Sequence, residues 1–149
     1  MKGIFITFEG IDGCGKSTQC ELLKDYLKDN NKDFIFVREP GGTVIGERIR
    51  EILLDKKNTQ MNSRTELLLF EAARAQITEE VIKPALDEGK IVLCDRFFDS
   101  SSAYQGMARN MGMDFVAGLN MAATGGLKPD VTFFFDISVE EALARRGKR

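Results

Sequence analysis

The stretch Gly10-Ile11-Asp12-Gly13-Cys14-Gly15-Lys16-Ser17-Thr18 fits the pattern G-x-x-x-x-G-K-[ST] of a phosphate-binding loop. Glycine reaches positive φ angles at little cost, so such a loop can turn its backbone N–H groups inward around a phosphate. Lys16 would add a mobile positive charge near the β- and γ-phosphates, and Ser17 a hydroxyl oxygen for Mg²⁺. We predict that residues 10–18 hold a nucleoside triphosphate.

The segments on either side of the loop favour this interpretation over a chance match in a glycine-rich turn. Ile4-Phe5-Ile6-Thr7-Phe8 is a run of β-branched and aromatic residues, typical of a buried strand. The residues after the loop follow a helical pattern with four apolar side chains on one face, Leu22, Leu23, Tyr26 and Leu27. A helix that begins at the loop would add the partial positive charge of its N-terminus.

Composition indicates one folded domain. Hydrophobic residues make up 43% and charged residues 30% of the 149 residues, as in soluble globular proteins. A net charge of −2 provides no basic surface for a nucleic-acid polymer. No apolar run approaches the roughly 20 residues that a membrane span requires, and the N-terminus does not resemble a secretory signal.

The absence of histidine restricts the chemistry further. It excludes Ser-His-Asp and Cys-His nucleophiles and histidine-bound metals. Catalysis would then depend on positioning, on Lys and Arg charges, on carboxylates and on a bound ion, as phosphoryl transfer does. Cys14, Cys20 and Cys94 form no C-x-x-C pair and indicate the reduced thiols of a cytoplasmic protein.

Apolar strands alternate with amphipathic helices along the chain. After the first strand we predict strands at 34–37, 90–94 and 131–136, and we expect the strand at 34–37 to be buried on both faces. The order β-α-β-α-α-β-α-α-β-α indicates an α/β fold of three layers, with a parallel sheet and helices on both faces. Ser63 with Glu66 predicts a capping box at the start of the central helix.

Polar segments follow three of these strands: the phosphate-binding loop, Arg38-Glu39-Pro40 and Asp95-Arg96. Ligands of parallel sheets bind beyond the carboxyl ends of the strands, so we expect these segments to meet at one cleft. Asp95 occupies the position at which a carboxylate at a strand tip holds Mg²⁺. The alternative is that Asp95 caps the following helix.

Two pairs of residues spaced four apart suggest recognition of a nucleobase. Phe70 and Arg74 would share one helical face, where the ring can stack on a base and the guanidinium can hydrogen-bond it. A core phenylalanine beside a surface arginine is the alternative. Ser101 and Gln105 have the same spacing, and glutamine offers both a donor and an acceptor, but ordinary exposed polarity also explains them.

Four motifs in this order resemble those of the thymidylate kinase family. They are Phe-Glu-Gly-Ile-Asp-Gly-Cys-Gly-Lys-Ser-Thr at 8–18, Arg-Glu-Pro-Gly-Gly-Thr at 38–43, Leu-Leu-Phe-Glu-Ala-Ala-Arg at 68–74 and Asp-Arg-Phe-Phe-Asp-Ser-Ser-Ser-Ala-Tyr-Gln-Gly at 95–106. The resemblance implies a P-loop NTPase fold in a single kinase domain over residues 1–149. It implies transfer of the γ-phosphoryl group of ATP to dTMP with Mg²⁺, giving dTDP and ADP for dTTP synthesis, by a homodimer joined through helices.

The resemblance also implies roles for the residues at matching positions. Asp12, Lys16 and Arg96 would be catalytic, with Asp12 near the acceptor phosphate, and Ser17 and Asp95 would hold the metal. Phe70 would stack on thymine and Tyr104 would crowd the 2′ side of the sugar. The residues expected at the polar edge of thymine are Arg74, Ser101 and Gln105. Those expected around the phosphate and sugar of dTMP are Arg38, Glu39, Arg50 and Arg96.

Gly13 stands where one branch of the family has an arginine. The chain therefore resembles the other branch, in which arginines of a flexible lid stabilise the transferring phosphoryl group. This lid would begin near residue 145, with Arg146 and Arg149 catalytic, and the rest of the lid, the last strand and the terminal helices would lie beyond Arg149. The alternatives are a P-loop kinase for another nucleoside monophosphate and a non-catalytic nucleotide-binding fragment.

Overall fold

The computed structural model describes residues 2–146. Within this range one sheet contains β1 (Ile4–Glu9), β2 (Phe34–Arg38), β3 (Ile91–Asp95) and β4 (Val131–Phe134). The strands are parallel and lie in the order β2-β3-β1-β4. The predicted α/β class and the parallel sheet are confirmed.

Helices follow the strands in the predicted alternation. They are α1 (Lys16–Asp29), α2 (Val44–Leu54), α3 (Ser63–Ile77), α4 (Lys83–Asp87), α5 (Phe98–Ser101), α6 (Met113–Thr124) and α7 (Val139–Arg146). A π-helical turn, Thr78–Ile82, joins α3 to α4, and another, Ser102–Ala108, extends α5. Pro84 lies in the first turn of α4, where its missing N–H interrupts the helical hydrogen bonds just after the wide turn. Among residues 2–146, no helix has the length and apolar character needed to cross a membrane.

Apolar clusters cover both faces of the sheet. Successive residues of a strand point to opposite faces, so Val92 and Leu93 of β3 belong to different clusters. Val92 packs in the cluster that contains Ile77 at the end of α3, and Leu93 packs in the cluster that contains Cys20 and Leu27 of α1. Helices on both faces therefore complete the three predicted layers.

The predicted inward face of α1 is partly wrong. Leu27 is buried and Leu23 packs beside it, but Leu22 and Tyr26 are exposed, and the buried thiol of Cys20 takes the inward position instead. The stripe at 20, 23 and 27 has the same helical period as the predicted one but is turned around the axis. Its direction follows from where the helix begins at the loop, which apolar spacing alone does not reveal.

Two further expectations are wrong. The cap of α3 is Asn62, whose side chain accepts a hydrogen bond from the N–H of Thr65 at 2.9 Å, so Ser63 is the first helical residue and not the cap. The strand at 34–37 is not buried on both faces. In the described sheet β2 lies at an edge, and Phe36 is exposed.

The register of the strands brings the three polar segments to one edge of the sheet. Asp95 of β3 pairs with Phe8 of β1 on one side and with Arg38 of β2 on the other. The loops that leave these strands therefore start at the same level. This confirms the expectation that the segments after β1, β2 and β3 meet.

We expect Phe5→Ala to lower the free energy of unfolding by about 3–5 kcal/mol, because it removes a buried ring and leaves a cavity. Phe5 is 0% exposed and packs edge-on against Phe97, with ring centroids 5.0 Å apart. Urea unfolding followed by circular dichroism measures the change. Phe134→Ala is the matched control, because Phe134 is 69% exposed on β4, and its change should stay within about 0.5 kcal/mol. Equal losses in the two variants would contradict this packing.

Candidate active site

Two cavities open at the carboxyl edge of the sheet, and Asp12, Asp95 and Arg96 line both of them. The loop cavity, of about 780 Å³, is bounded by residues 12–19 and by Phe135 and Arg145. The main cleft, of about 710 Å³, lies between the loops after β2 and β3 and the side chains of α2 and α3. Both volumes are typical of sites for small molecules.

The loop cavity has the features of a phosphate site. Gly13 and Gly15 have φ angles of 93° and 104°, a conformation that favours glycine. Lys16 is buried, and its ammonium group donates to the carbonyl oxygens of Gly10 at 2.7 Å and Ile11 at 3.1 Å. Because α1 begins at Lys16, the free N–H groups of its first turn face the cavity.

An arginine that the sequence interpretation did not single out reaches this cavity. Nη1 of Arg145, on α7, donates to the carbonyl oxygen of Cys14 at 3.4 Å. Of the two predicted lid arginines, Arg149 lies outside the described residues, as does the side chain of Arg146. Their catalytic role stays a prediction, and the arginine of α7 that contacts the loop is the neighbouring Arg145.

Asp95 has the character of a ligand for a hard cation. Its Oδ1 atom is buried without a hydrogen-bond partner among the described residues. Burial raises the pKa of Asp95, although the positive charges of Lys16 and Arg96 act against this shift. Mg²⁺ is bound by one or two carboxylates together with phosphate oxygens and water, so Asp95, with Ser17 at the loop, fits such an ion. In the range that the structure describes, no group of three or more His, Cys, Asp or Glu side chains forms a metal site by itself.

Arg96 lies between the two cavities with a backbone that its neighbours hold in place. Its φ angle of 69° falls in the left-handed region, which is uncommon for a residue with a side chain this large. Glu9 accepts hydrogen bonds from the N–H of Phe97 at 2.7 Å and from the hydroxyl of Ser100 at 2.6 Å, which fixes the turn around Arg96. The guanidinium group then lies 2.5 Å from Oδ1 of Asp12. Glu9 was missed at the sequence level because its partners are 88 and 91 residues away.

Positive charge is concentrated in the main cleft where two of its arginines meet. Arg38 and Arg50 both donate to the carbonyl oxygen of Pro40, at 3.1 Å and 2.8 Å. Burial and the nearby charge of Arg38 lower the pKa of Arg50. Glu47, which was not predicted, balances this pair only in part through its contact with Arg38 at 3.0 Å. Two guanidinium groups this close attract a phosphate dianion.

Arg74 also lines the main cleft, but it is buried between two carboxylates. Nε donates to Glu39 at 2.8 Å and Nη1 to Glu71 at 2.6 Å. Burial raises the pKa of Glu39 to about 7, because Arg74 offsets only part of the cost and the charge of Glu71 adds to it. At 2% exposure, Arg74 is not the surface arginine of the alternative interpretation.

The hydrogen bonds of Arg74 limit what it can offer to a ligand. Nη1 also donates to the hydroxyl of Ser101 at 3.1 Å and to Oδ1 of Asn120 at 3.0 Å, and Nη2 donates to the carbonyl oxygen of Phe97 at 3.2 Å. A guanidinium group carries two N–H bonds on Nη2. One of them has no acceptor in the described part of the chain. Arg74 lines the main cleft and can therefore donate one hydrogen bond into it.

The remaining predicted residues form the walls of the same cleft. Phe70 is half-buried on α3, one turn before Arg74, and the ring of Tyr104 lies 5.8 Å from the guanidinium of Arg96. Gln105 is buried, and its amide nitrogen donates to Glu66 at 2.9 Å. The predicted residues that line the cleft are Arg38, Glu39, Arg50, Phe70, Arg74, Arg96, Ser101, Tyr104 and Gln105. The structure therefore brings the whole predicted set together.

Comparison with known proteins gives consistent matches. The family model for thymidylate kinase matches residues 8–149. A thymidylate kinase of Thermoanaerobacter sp. (strain X514) is 56% identical over 149 residues, which are 100% of this chain and 73% of that protein. A thymidylate kinase of Thermosipho melanesiensis is 58% identical over 146 residues, or 98% of this chain and 72% of that protein. The crystal structure of thymidylate kinase from Ehrlichia chaffeensis has a TM-score of 0.85 and 40% identity, covering 97% of this chain and 82% of that one.

We expect Glu39→Gln to make stability less dependent on pH between 4.5 and 7. In the unfolded chain Glu39 releases its proton near 4.5, whereas in the folded chain its pKa is about 7. The folded chain binds more protons in this interval, so the contribution of Glu39 to stability falls as the pH rises. Glutamine does not titrate and keeps an oxygen that can accept from Arg74. Urea unfolding at several pH values should therefore show a shallower decline for the variant.

Glu47→Gln is the control for this experiment. The hydrogen bond from the N–H of Gly42 and the contact with Arg38 lower the pKa of Glu47, so its contribution to stability has the opposite dependence on pH. Its replacement should therefore not make the decline between pH 4.5 and 7 shallower than in the unmodified chain. An unchanged slope for Glu39→Gln would show that Glu39 does not titrate in this interval.

Proposed function

The chain belongs to the thymidylate kinase family, and we propose that its main cleft binds dTMP while its loop cavity binds ATP. The activity is that of an ATP-dependent nucleoside-monophosphate kinase, which transfers the γ-phosphoryl group to dTMP and yields dTDP and ADP. The observation that carries the assignment of the two cavities is their shared wall of Asp12, Asp95 and Arg96. The γ-phosphate of ATP in one cavity and the phosphate of dTMP in the other would both lie beside these three residues, as in-line transfer requires.

The main cleft divides into a phosphate end and a base end. Arg38 and Arg50 bind the phosphate of dTMP, because their positive charge is only partly balanced. Phe70 stacks on the thymine ring, and the remaining N–H of Arg74 donates to its O4 atom. Tyr104, packed against Arg96, occupies the 2′ side of the sugar and favours deoxyribose.

Positive charge around the transferring group accounts for the catalysis. Arg96 is held at the junction of the cavities, and Asp12 orients its guanidinium group. Lys16 exchanges its contacts with the loop carbonyls for phosphate oxygens when ATP binds. Mg²⁺, held by Ser17, Asp95 and the phosphates, supplies further charge neutralisation when bound. We assign the lid arginines Arg146 and Arg149 the same task, in one kinase domain over residues 1–149 whose lid begins near residue 145.

We also propose that the enzyme is a homodimer and that it is cytoplasmic. Helices α3 and α6, which pack together, expose large apolar side chains that suit a helix-mediated interface, among them Leu68, Phe115 and Met121. All three cysteines are free thiols, the form that a reducing compartment maintains.

Calorimetry and phosphorylation assays with dTMP, dUMP, CMP and AMP test the assignment of the acceptor. We expect dTMP and dUMP to bind more tightly and to be phosphorylated faster than CMP and AMP, because the cleft pairs a stacking ring with a donor for the O4 atom that thymine and uracil share. A preference for CMP or AMP would favour a kinase for another nucleoside monophosphate. Binding of dTMP and of an ATP analogue without turnover would favour the non-catalytic alternative.

Lys16→Ala should lower turnover by a factor of about 10²–10³, since it removes a fixed cation from the phosphates in the transition state. The affinity for dTMP should stay unchanged, because Lys16 lines the loop cavity and not the main cleft. Steady-state kinetics and dTMP calorimetry measure the two effects. Lys28→Ala, at an exposed position in the last turn of α1, is the control. Near-normal turnover of Lys16→Ala would contradict the role of the loop.

A further inference from the structure

We propose that Glu66 is a positioning residue that orients the Gln105 amide and thereby makes the cleft select thymine or uracil over cytosine. This inference rests on the proposed function, because it concerns the base of the acceptor. Glu66 itself neither stacks on the base nor binds the phosphate. The proposed determinant of selectivity is therefore a contact between two helical segments.

The contact between Gln105 and Glu66 determines which end of the amide faces the cleft. A carboxylate accepts hydrogen bonds, so the donor at 2.9 Å from Glu66 Oε1 is the Nε2 amine of Gln105. Gln105 is 4% exposed, so its side chain stays in the wall of the cleft and only a half-turn of its flat amide group can exchange the two ends. Its oxygen, Oε1, has no hydrogen-bond partner among residues 2–146, and Gln105 lines the main cleft. The amide thus offers an acceptor to a ligand.

Glu66 is itself held in place. It lies in the first turn of α3, where the helix dipole favours a negative charge. Its second oxygen, Oε2, accepts from Nη2 of Arg109 at 3.1 Å, and its side chain is only 23% exposed. Both carboxylate oxygens therefore have donors, and the one that faces Gln105 has a fixed direction.

Arg74 and Gln105 face the ligand from neighbouring positions. Gln105 is one helical turn beyond Ser101, whose hydroxyl accepts from Arg74, and all three residues line the cleft. Together Arg74 and Gln105 present a donor beside an acceptor. Thymine and uracil present the complement, the O4 acceptor beside the N3–H donor, whereas cytosine presents an amino donor beside an unprotonated N3 acceptor.

Of these two residues, only Gln105 can present either a hydrogen-bond acceptor or a donor to the base. Arg74 has N–H groups only and cannot accept a hydrogen bond. The Gln105 amide would offer a donor to N3 of cytosine if it turned by half a rotation. The acceptor that prevents this rotation is Glu66.

Calorimetry with dTMP and with dCMP tests the proposal through the ratio of the two dissociation constants. In Glu66→Lys the ammonium group donates to the oxygen of Gln105, so the amide turns its amine toward the base. We expect the preference for dTMP over dCMP to shrink by about tenfold or more, the size of the effect of one mismatched buried hydrogen bond. Glu80→Lys is the matched control. It makes the same change at an exposed glutamate that also accepts from a glutamine amide, that of Gln76 at 2.6 Å, but lies outside the cleft, so the preference should not change.

Glu66→Leu keeps the test decisive if the lysine variant does not fold. Leucine removes the acceptor without adding a donor, so the amide can rotate and the preference should fall by a smaller factor. Thermal melting and the affinity for an ATP analogue establish that each variant is folded. Gln105→Ala should weaken dTMP binding without improving dCMP binding.

The outcomes separate this inference from the proposed function. An unmodified chain that does not bind dTMP would contradict the proposed function itself. An unmodified chain that prefers dTMP, with a preference that is unchanged in both folded Glu66 variants, would overturn the role of Glu66 and leave the kinase assignment intact. An unchanged preference in Gln105→Ala would likewise overturn it, because Gln105 would then not read the base.

Discussion

The parallel pairing of β1 with β3 is the constraint on which both cavities depend. Phe8 lies opposite Asp95, and the N–H of Arg96 donates to the carbonyl oxygen of Phe8 at 3.0 Å, so the two chains leave the sheet side by side. Glu9 extends this pairing past the end of β3 through its contact with Phe97. A carboxylate buried this deeply is tolerated because both of its oxygens accept hydrogen bonds. Asp12 and Arg96, 84 residues apart in the chain, therefore meet at the wall that the two cavities share.

The arginines of the main cleft differ in how far their charge is balanced, and we propose that this difference sets the direction in which the acceptor binds. Arg38 and Arg50 leave an excess of positive charge, which Glu47 balances only in part. Arg74 is matched by two carboxylates, and burial raises the pKa of one of them, Glu39, to about 7. A dianionic phosphate would therefore be stabilised beside Arg38 and Arg50, and a neutral base beside Arg74. A nucleoside monophosphate that entered in reverse would place its phosphate beside buried carboxylates.

Features that depend on neighbouring residues could be predicted from the sequence. The glycine loop, the apolar strands and the charges at the strand ends are local patterns, and together they implied the sheet and the cleft. The contact of Glu66 with Gln105 spans 39 residues, and that of Arg145 with Cys14 spans 131, so no local pattern reveals them. The exposed side of α1 was misjudged for a related reason, since helical spacing shows that a stripe exists but not which way the helix is turned.

One face of α3 carries three residues to which we assign separate roles. Glu66, Phe70 and Arg74 are spaced four residues apart and all line the main cleft. Phe70 is suited to stack on the base, and Arg74 is suited to donate a hydrogen bond to it. Glu66 sets which end of the Gln105 amide faces the ligand. Leu67 and Ile77, both fully buried, hold this helix against the rest of the molecule. A rotation of α3 about its axis would therefore displace Phe70, Arg74 and Glu66 together. The selectivity for the base that we propose thus depends on the packing of a single helix.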